Sequence, residues 1–152
     1  MLGIDTGDTK KEYIESLGAH FIDFAKVSNL VEEVKAITNG GAHAAVVTSG
    51  HPQAFTSAAD MLRINGALCM VGIPPGDVHL GTPIATIVIK GLRIYGNLVG
   101  SMKETLEAVR LVSEGKVQPH VQVRQFRELP QIYDMLERGD IPGRIVLQMS
   151  RE

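Results

Sequence analysis

Residues 44–71 read AAVVTSGHPQAFTSAADMLRINGALCMV, and this stretch decides the fold. Ala44-Ala45-Val46-Val47 is a short, uncharged, apolar run of the kind that fills a strand buried on both faces. His51-Pro52 then opens a helix, because proline suits a first helical turn. Phe55, Ala58, Ala59 and Leu62 recur at helical spacing and form its inner face. Asn65-Gly66 is turn chemistry. It hands over to Ala67-Leu68-Cys69-Met70-Val71, the clearest strand in the chain. Strand, helix, strand with near-continuous apolar strands predicts an α/β fold with a parallel sheet.

The same alternation extends in both directions. Upstream, Met1-Leu2-Gly3-Ile4 is a short apolar strand ending at Asp5, and Thr6-Gly7-Asp8 is a turn with Asp8 as helix N-cap. A helix from Thr9 to Leu17 is stopped by Gly18, and Phe21-Ile22 is the next strand. Ser28 starts a second helix, with Leu30, Val31, Val34 and Ile37 on one face, ended by Asn39-Gly40-Gly41. Downstream, Ile84–Ile89 and Leu92–Tyr95 read as two extended runs around Lys90-Gly91. The pattern changes after Gly96. Ser101 and Glu104 form a capping box that opens a helix with Met102, Leu106, Val109 and Val112 on one face, closed by Gly115. Val121 and Val123 alternate with polar residues, Leu129–Leu136 is a short helix ending at Gly139, and Ile145, Leu147 and Met149 alternate again. The expected boundary lies near residues 97–101, dividing the chain into 1–100 and 101–152.

Composition excludes several classes of function. With 152 residues, 15 Lys+Arg and 17 Asp+Glu, the net charge is −2, so no basic field exists to hold nucleic acid. No apolar run approaches the roughly 18 residues of a membrane span, and the N-terminus has neither the basic nor the long apolar region of a signal peptide. Cys69 is the one cysteine, which rules out an internal disulfide and any zinc site built from several thiolates of this chain. The default expectation is a soluble, reduced, cytoplasmic protein. His20, His43, His51, His79 and His120 include no helical i, i+4 pair, and neither Ser49-Gly50 nor Ser57 belongs to a G-x-S-x-G elbow. Cys69, in an apolar strand, reads as an inert core thiol.

Asp5 carries the most chemistry. A carboxylate at the carboxyl end of a parallel strand lies on the rim where α/β folds bind ligands. There it can accept hydrogen bonds from ribose hydroxyls and repel a 2′-phosphate, selecting NAD over NADP; the competing reading is a plain cap or turn aspartate. A dinucleotide fingerprint places G-x-G-x-x-G roughly 20 residues before such an acid. No residue of this sequence lies there, and none of the 16 glycines forms that motif. Either Asp5 belongs to no dinucleotide site, or the sequence starts inside one.

The order of short motifs resolves this by resemblance. Met1-Leu2-Gly3-Ile4-Asp5 with Lys10-Lys11-Glu12, then Phe21-Ile22-Asp23-Phe24, Gly40-Gly41-Ala42-His43, Asn65-Gly66, Val71-Gly72-Ile73-Pro74-Pro75-Gly76, Gly96-Asn97-Leu98-Val99-Gly100, Leu129-Pro130-Gln131-Ile132-Tyr133 and Gly143-Arg144 together resemble the zinc-dependent alcohol dehydrogenases of the fungal type, in the medium-chain dehydrogenase/reductase superfamily. The likeness covers essentially the whole chain. It implies a Rossmann-like parallel sheet lacking its first strand and glycine-rich turn. It also implies that residues 101–152 resemble part of the catalytic domain.

Site residues follow from the same resemblance. Asp5 resembles the ribose-binding carboxylate and Lys10 the lysine on the following helix that meets the same ribose. Thr48 and Ser49 match the region flanking the adenosine-side ribose and the nicotinamide approach. Val71 and Ile73 resemble the strand end beside the nicotinamide, and Leu98 and Val99 the segment whose backbone meets the carboxamide. Arg144 resembles the C-terminal arginine that pairs with pyrophosphate, a role suited to a guanidinium fork; spacing alone reads it as an exposed charge before an edge strand. The family's zinc ligands and pyrophosphate cradle have no counterpart here. The implied activity, hydride transfer from an alcohol to NAD, is therefore expected to be absent from the chain alone, with NAD bound weakly or in part and zinc held only by the full-length family.

Partners are expected too. Ile84–Ile89 is β-branched and uncharged, costly as an exposed edge. The resemblance places it where two coenzyme domains join across a two-fold axis, so self-association is expected there, and a full-length dehydrogenase subunit is a second partner. Without the central first strand, two strand edges are left unpaired. The competing functional class is a non-catalytic interaction or regulatory module that retains the fold; a third is a remodelled pocket with new chemistry.

Overall fold

A computed structural model describes residues 1–149. In chain order the elements are β1 (Leu2–Asp5), α1 (Asp8–Ser16), β2 (His20–Asp23), α2 (Leu30–Ile37), β3 (Ala42–Val47), α3 (Pro52–Asp60), β4 (Leu62–Met70), α4 (Ile84–Lys90), β5 (Arg93–Gly96), α5 (Met102–Ser113), β6 (Val121–Gln125), α6 (Leu129–Arg138) and β7 (Arg144–Gln148), with a short 3₁₀ turn at Phe126–Glu128. Every strand pairing is parallel. The strands form three separate sheets, β1-β2, β3-β4-β5 and β6-β7.

Two compact units result. One is the continuous stretch Phe24–Val99, built on β3-β4-β5. Its core lies where α3 packs on one face of that sheet: Val47, Phe55, Ala58, Ala59, Leu62 and Leu68 form one buried cluster. Leu62 and Leu68 are 1% and 0% exposed. Pairing Ala45 with Leu68 and Leu68 with Ile94 stacks the inward side chains across all three strands. The other unit joins Met1–Asp23 to the chain from Gly100 onward. There α1 packs on β1 and β2, and the Tyr13 ring of α1 meets that of His120 at a tilt of 49° with centroids 4.7 Å apart.

The helix ends follow the sequence with small corrections. Gly7, at φ 100°, is the N-cap of α1, so Asp8 lies inside the first turn rather than before it. Asn29, not Ser28, caps α2 by accepting from the Glu32 backbone N–H, and Val34 is buried on the inner side as the spacing requires. The Ser101–Glu104 capping box is present on α5. Gly139 ends α6 in the left-handed conformation. β4 begins at Leu62, earlier than Ala67, so Leu62 belongs to the strand and Asn65-Gly66 lies within it. The register shifts between Ala42 and Ala44, and Asn65 takes the left-handed conformation at φ 59°.

One assignment is overturned. Ile84–Ile89 is not a strand but the body of α4. Parallel strands β4 and β5 need a crossover between them, which a helix supplies. The boundary residues fit that demand: Pro83 is the N-cap, and Gly91, at φ 59° and ψ 42°, ends the helix in the left-handed region. Tertiary context thus overrides the β-branched propensity of the run. The strand after the run, β5, lies at one edge of the sheet, and α4 presents an apolar surface instead, with Ile84, Val88 and Ile89 79%, 72% and 78% exposed.

Candidate functional site

The parallel strands aim their carboxyl ends at the loops that carry the site residues. In the first unit β1 ends at Asp5. The Asp5 carboxylate Oδ1 accepts from the Thr6 backbone N–H at 2.8 Å and from Lys10 Nζ at 2.9 Å. α1 places Lys10 in its first turn, so strand end and helix bring the two charges together. The side chains keep 41% and 31% of their surface in water. A pair so exposed contributes at most about 1 kcal/mol to stability, which leaves it available to a polar ligand. Arg144 opens β7 with an exposed side chain, its backbone N–H donating to the His120 carbonyl at 2.9 Å.

In the second unit β3, β4 and β5 end side by side. The Val71 and Gly72 N–H groups both donate to the Val47 carbonyl at 2.9 Å, and the Asn97 N–H donates to the Met70 carbonyl at 2.9 Å. These bonds carry the ladder past the formal strand ends and hold the loops open over a cleft of about 440 Å³. Val71, Ile73 and Leu98 line it, together with Phe55, His79 and Asn97. Ile73 and Leu98 are 71% and 70% exposed, so the cleft is an open apolar shelf. Val99 follows with a left-handed backbone at φ 47°. Thr48 and Ser49 leave the end of β3, and the Ser49 hydroxyl accepts from the His51 N–H at 3.0 Å, tying the loop that starts α3.

Of the residues singled out, Asp5 meets Lys10 in one unit, and Val71, Ile73 and Leu98 line one cleft in the other; Thr48, Ser49 and Val99 are not among the residues lining that cleft, and Arg144 lies in the first unit with no hydrogen bond or ion pair to Asp5 or Lys10. Sequence reading missed Gly72 as a positioning residue. A Cβ there would lie 2.0 Å from the Ser49 carbonyl oxygen, so only glycine lets the two loops approach. Its signal was a glycine just past a strand end, which marks close backbone approach. Phe55 and His79 were missed as lining residues because α3 and the loop before α4 reach the cleft only through the fold.

Among the described residues no group of three or more His, Cys, Asp or Glu side chains is placed to hold a metal ion. One thiol and five separated histidines do not fit a thiolate-rich zinc centre. No helix of the described residues is long and apolar enough to cross a membrane.

Known proteins share this architecture. The zinc-binding dehydrogenase family matches residues 1–114. An alcohol dehydrogenase of Schizosaccharomyces pombe is 40% identical over 152 residues, 99% of this chain and 43% of the relative. One from Geobacillus stearothermophilus is 35% identical over 150 residues, 99% of this chain and 44% of the relative. Among solved structures, the alcohol dehydrogenase of the archaeon Aeropyrum pernix superposes with a TM-score of 0.87 at 28% identity, covering 96% of this chain and 42% of that one. Benzyl alcohol dehydrogenase from Acinetobacter calcoaceticus gives 0.86 at 28% identity, covering 98% and 42%. The chain thus spans less than half the length of the relatives it matches. With a match running through 114 of 152 residues, the chain belongs to the zinc-binding dehydrogenase family and corresponds to the C-terminal, coenzyme-domain portion of its alcohol dehydrogenases.

Proposed function

We propose that this chain is the coenzyme-binding portion of an NAD-linked, zinc-dependent alcohol dehydrogenase, inactive in hydride transfer by itself. The observation that carries the reading is Asp5: a half-exposed carboxylate at the end of a parallel strand, held by the Thr6 N–H and by Lys10. Asp5 accepts from ribose hydroxyls, while Lys10 fixes its orientation and shares the same ligand. Its negative charge disfavours a 2′-phosphate, which favours NAD over NADP. Arg144 offers a guanidinium to a phosphate. In the second unit Thr48 and Ser49 border the shelf, Val71, Ile73 and Leu98 give it an apolar surface for a flat ring, and the backbone of Leu98 and Val99 meets the carboxamide. When bound, NAD is the hydride acceptor of the intact enzymes; the chain's own part is to bind and orient it. No step is assigned to zinc, because the donor set does not fit it.

In this reading residues 1–100 act as an incomplete dinucleotide-binding domain, residues 101–152 pack on a catalytic domain, and the protein works in the cytoplasm. Without a helix N-terminus and glycine-rich turn for the pyrophosphate, affinity falls to millimolar or weaker, about −4 kcal/mol. Titration with NAD, followed by amide shifts at Asp5 and Lys10, tests the reading. Saturable shifts that Asp5→Ala weakens support it. A micromolar site untouched by Asp5→Ala overturns it.

A second reading rests on the uncovered apolar surfaces of α4 and α5. It takes the chain as a non-catalytic interaction module that associates with itself through Ile84–Ile89 or with a dehydrogenase subunit. Alcohol-dependent NAD reduction by the purified chain would exclude both readings.

A further inference from the structure

A second cleft, of about 420 Å³, lies in the first unit and shares no lining residue with the apolar shelf. It forms where β6 ends, the 3₁₀ turn follows and α6 begins. Arg124, Arg127, Glu128, Gln131, Ile132 and Met135 line it. Ile132, 6% exposed, and the half-buried Met135 supply an apolar wall. The charged part is unbalanced. Glu128 already uses Oε2 to accept from the Gln125 backbone N–H at 2.9 Å. Neither lining arginine has a hydrogen bond or ion pair among the described residues. By contrast, Arg110 and Arg138 of the same unit hold Glu114 at 2.6 Å and Asp140 at 2.9 Å. Two guanidiniums facing one carboxylate leave a positive charge uncompensated in the cleft, in a chain that is acidic as a whole.

We propose that this cleft binds a small monoanion with an apolar body, a medium-chain monocarboxylate, its head on Arg124 and Arg127 and its hydrocarbon chain on Ile132 and Met135. Guanidinium groups match the two oxygens of a carboxylate and stay charged at every physiological pH. The apolar wall takes the hydrocarbon chain out of water. The volume lies in the range of small-molecule sites. Glu128 selects the charge of the ligand. A phosphate monoester carries nearly two negative charges at neutral pH, and the Glu128 carboxylate repels it more than it repels a single charge. The Gln131 amide has donors for the same head group. A neutral alcohol of equal length would leave both guanidiniums without a counter-charge. The proposal stands apart from the coenzyme reading, because Asp5, Lys10 and the shelf contribute nothing to this cleft.

The test titrates the isotope-labelled chain with octanoate, kept below the concentration at which it self-associates, at neutral pH. It follows the side-chain Nε–H signals of Arg124 and Arg127 and the methyl signals of Ile132. The expected result is saturable shifts at all three residues. Acetate keeps only the head and octanol only the tail, and each should bind at least about tenfold more weakly, as should octyl phosphate. Arg124→Gln and Arg127→Gln alter exposed side chains, so the fold is kept. Each should weaken octanoate about fivefold, the effect of losing one exposed ion pair. Lys103→Gln on α5 should leave the affinity unchanged, and Glu128→Gln should narrow the advantage of octanoate over octyl phosphate. Shifts that do not saturate overturn the proposal, as does acetate or octanol binding as tightly as octanoate. So does an octanoate affinity that survives both arginine substitutions or falls equally with Lys103→Gln. A preference for octyl phosphate, or an advantage of octanoate that Glu128→Gln leaves intact, overturns the monocarboxylate assignment.

Discussion

Gly72 has no room for a methyl group, because its missing Cβ would lie 2.0 Å from the Ser49 carbonyl. Its N–H meanwhile holds the Val47 carbonyl. Gly72→Ala must therefore push the β3 and β4 loops apart, at a cost of about 1–3 kcal/mol. Chemical denaturation should show this lowered stability, and the spectrum should change at Ser49 and Ile73. Asp5 makes the opposite case. It lies at the surface, so Asp5→Ala should change stability by less than about 1 kcal/mol while weakening NAD and narrowing its advantage over NADP. Comparative titration with the two nucleotides checks this; an unaltered preference would show that Asp5 is an ordinary turn aspartate. The place of Asp5 at the end of β1 was legible because it closes a short apolar run; its role toward a ribose comes from the resemblance alone. Gly72 was not, since the carbonyl that excludes its side chain arrives from a segment more than 20 residues away.

Helix α4 shows where local reading stops. Ile-Ala-Thr-Ile-Val-Ile has no polar residue at the non-apolar positions of either a helix or a strand, except Thr86, so periodicity cannot choose between them. Pro83 before it and Gly91 after it held the information, as did the need for a crossover between β4 and β5. α5, by contrast, declared itself through its capping box and its i, i+4 spacing. Both helices leave apolar residues in water, and α4 carries three of the most exposed aliphatic side chains. If it mediates self-association, Val88→Lys should convert dimers to monomers in sedimentation without loss of helix content. A wild-type monomer at tens of micromolar would remove the idea. α5 also carries a pH dependence. Hydrogen bonds from the Ser101 backbone and hydroxyl hold Glu104 below the usual carboxylate value of 4.5. Lys116 first and Arg110 second do the same for Glu114. A depressed pKa in the folded state gives stabilisation that is complete above the unfolded value and is lost as pH falls through the folded one. α5 should therefore lose helical signal as pH drops below about 4.5, and Glu104→Gln with Glu114→Gln should flatten that loss in circular dichroism.

At the scale of the molecule, an α/β fold with parallel strands was readable from the alternation of elements, while the missing central strand was implied only by the resemblance. The cleft that Arg124 and Arg127 share was not readable, because it exists only where the end of β6, the 3₁₀ turn and α6 come together. The donor inventory predicts that washed protein carries far less than one zinc per chain, measurable by metal analysis. One consequence concerns synthesis. The unit Phe24–Val99 is continuous in sequence, whereas its companion is stitched from the first 23 residues and the stretch beginning at Gly100. A ribosome adding about 5–20 residues per second finishes every residue around Leu68 while the part of the companion unit from Gly100 onward, with the His120 that Tyr13 meets, is still unmade. Folding should run in that order, with stalled nascent chains ending shortly after residue 130 already protecting Leu68 and leaving β1 and β2 open to proteases.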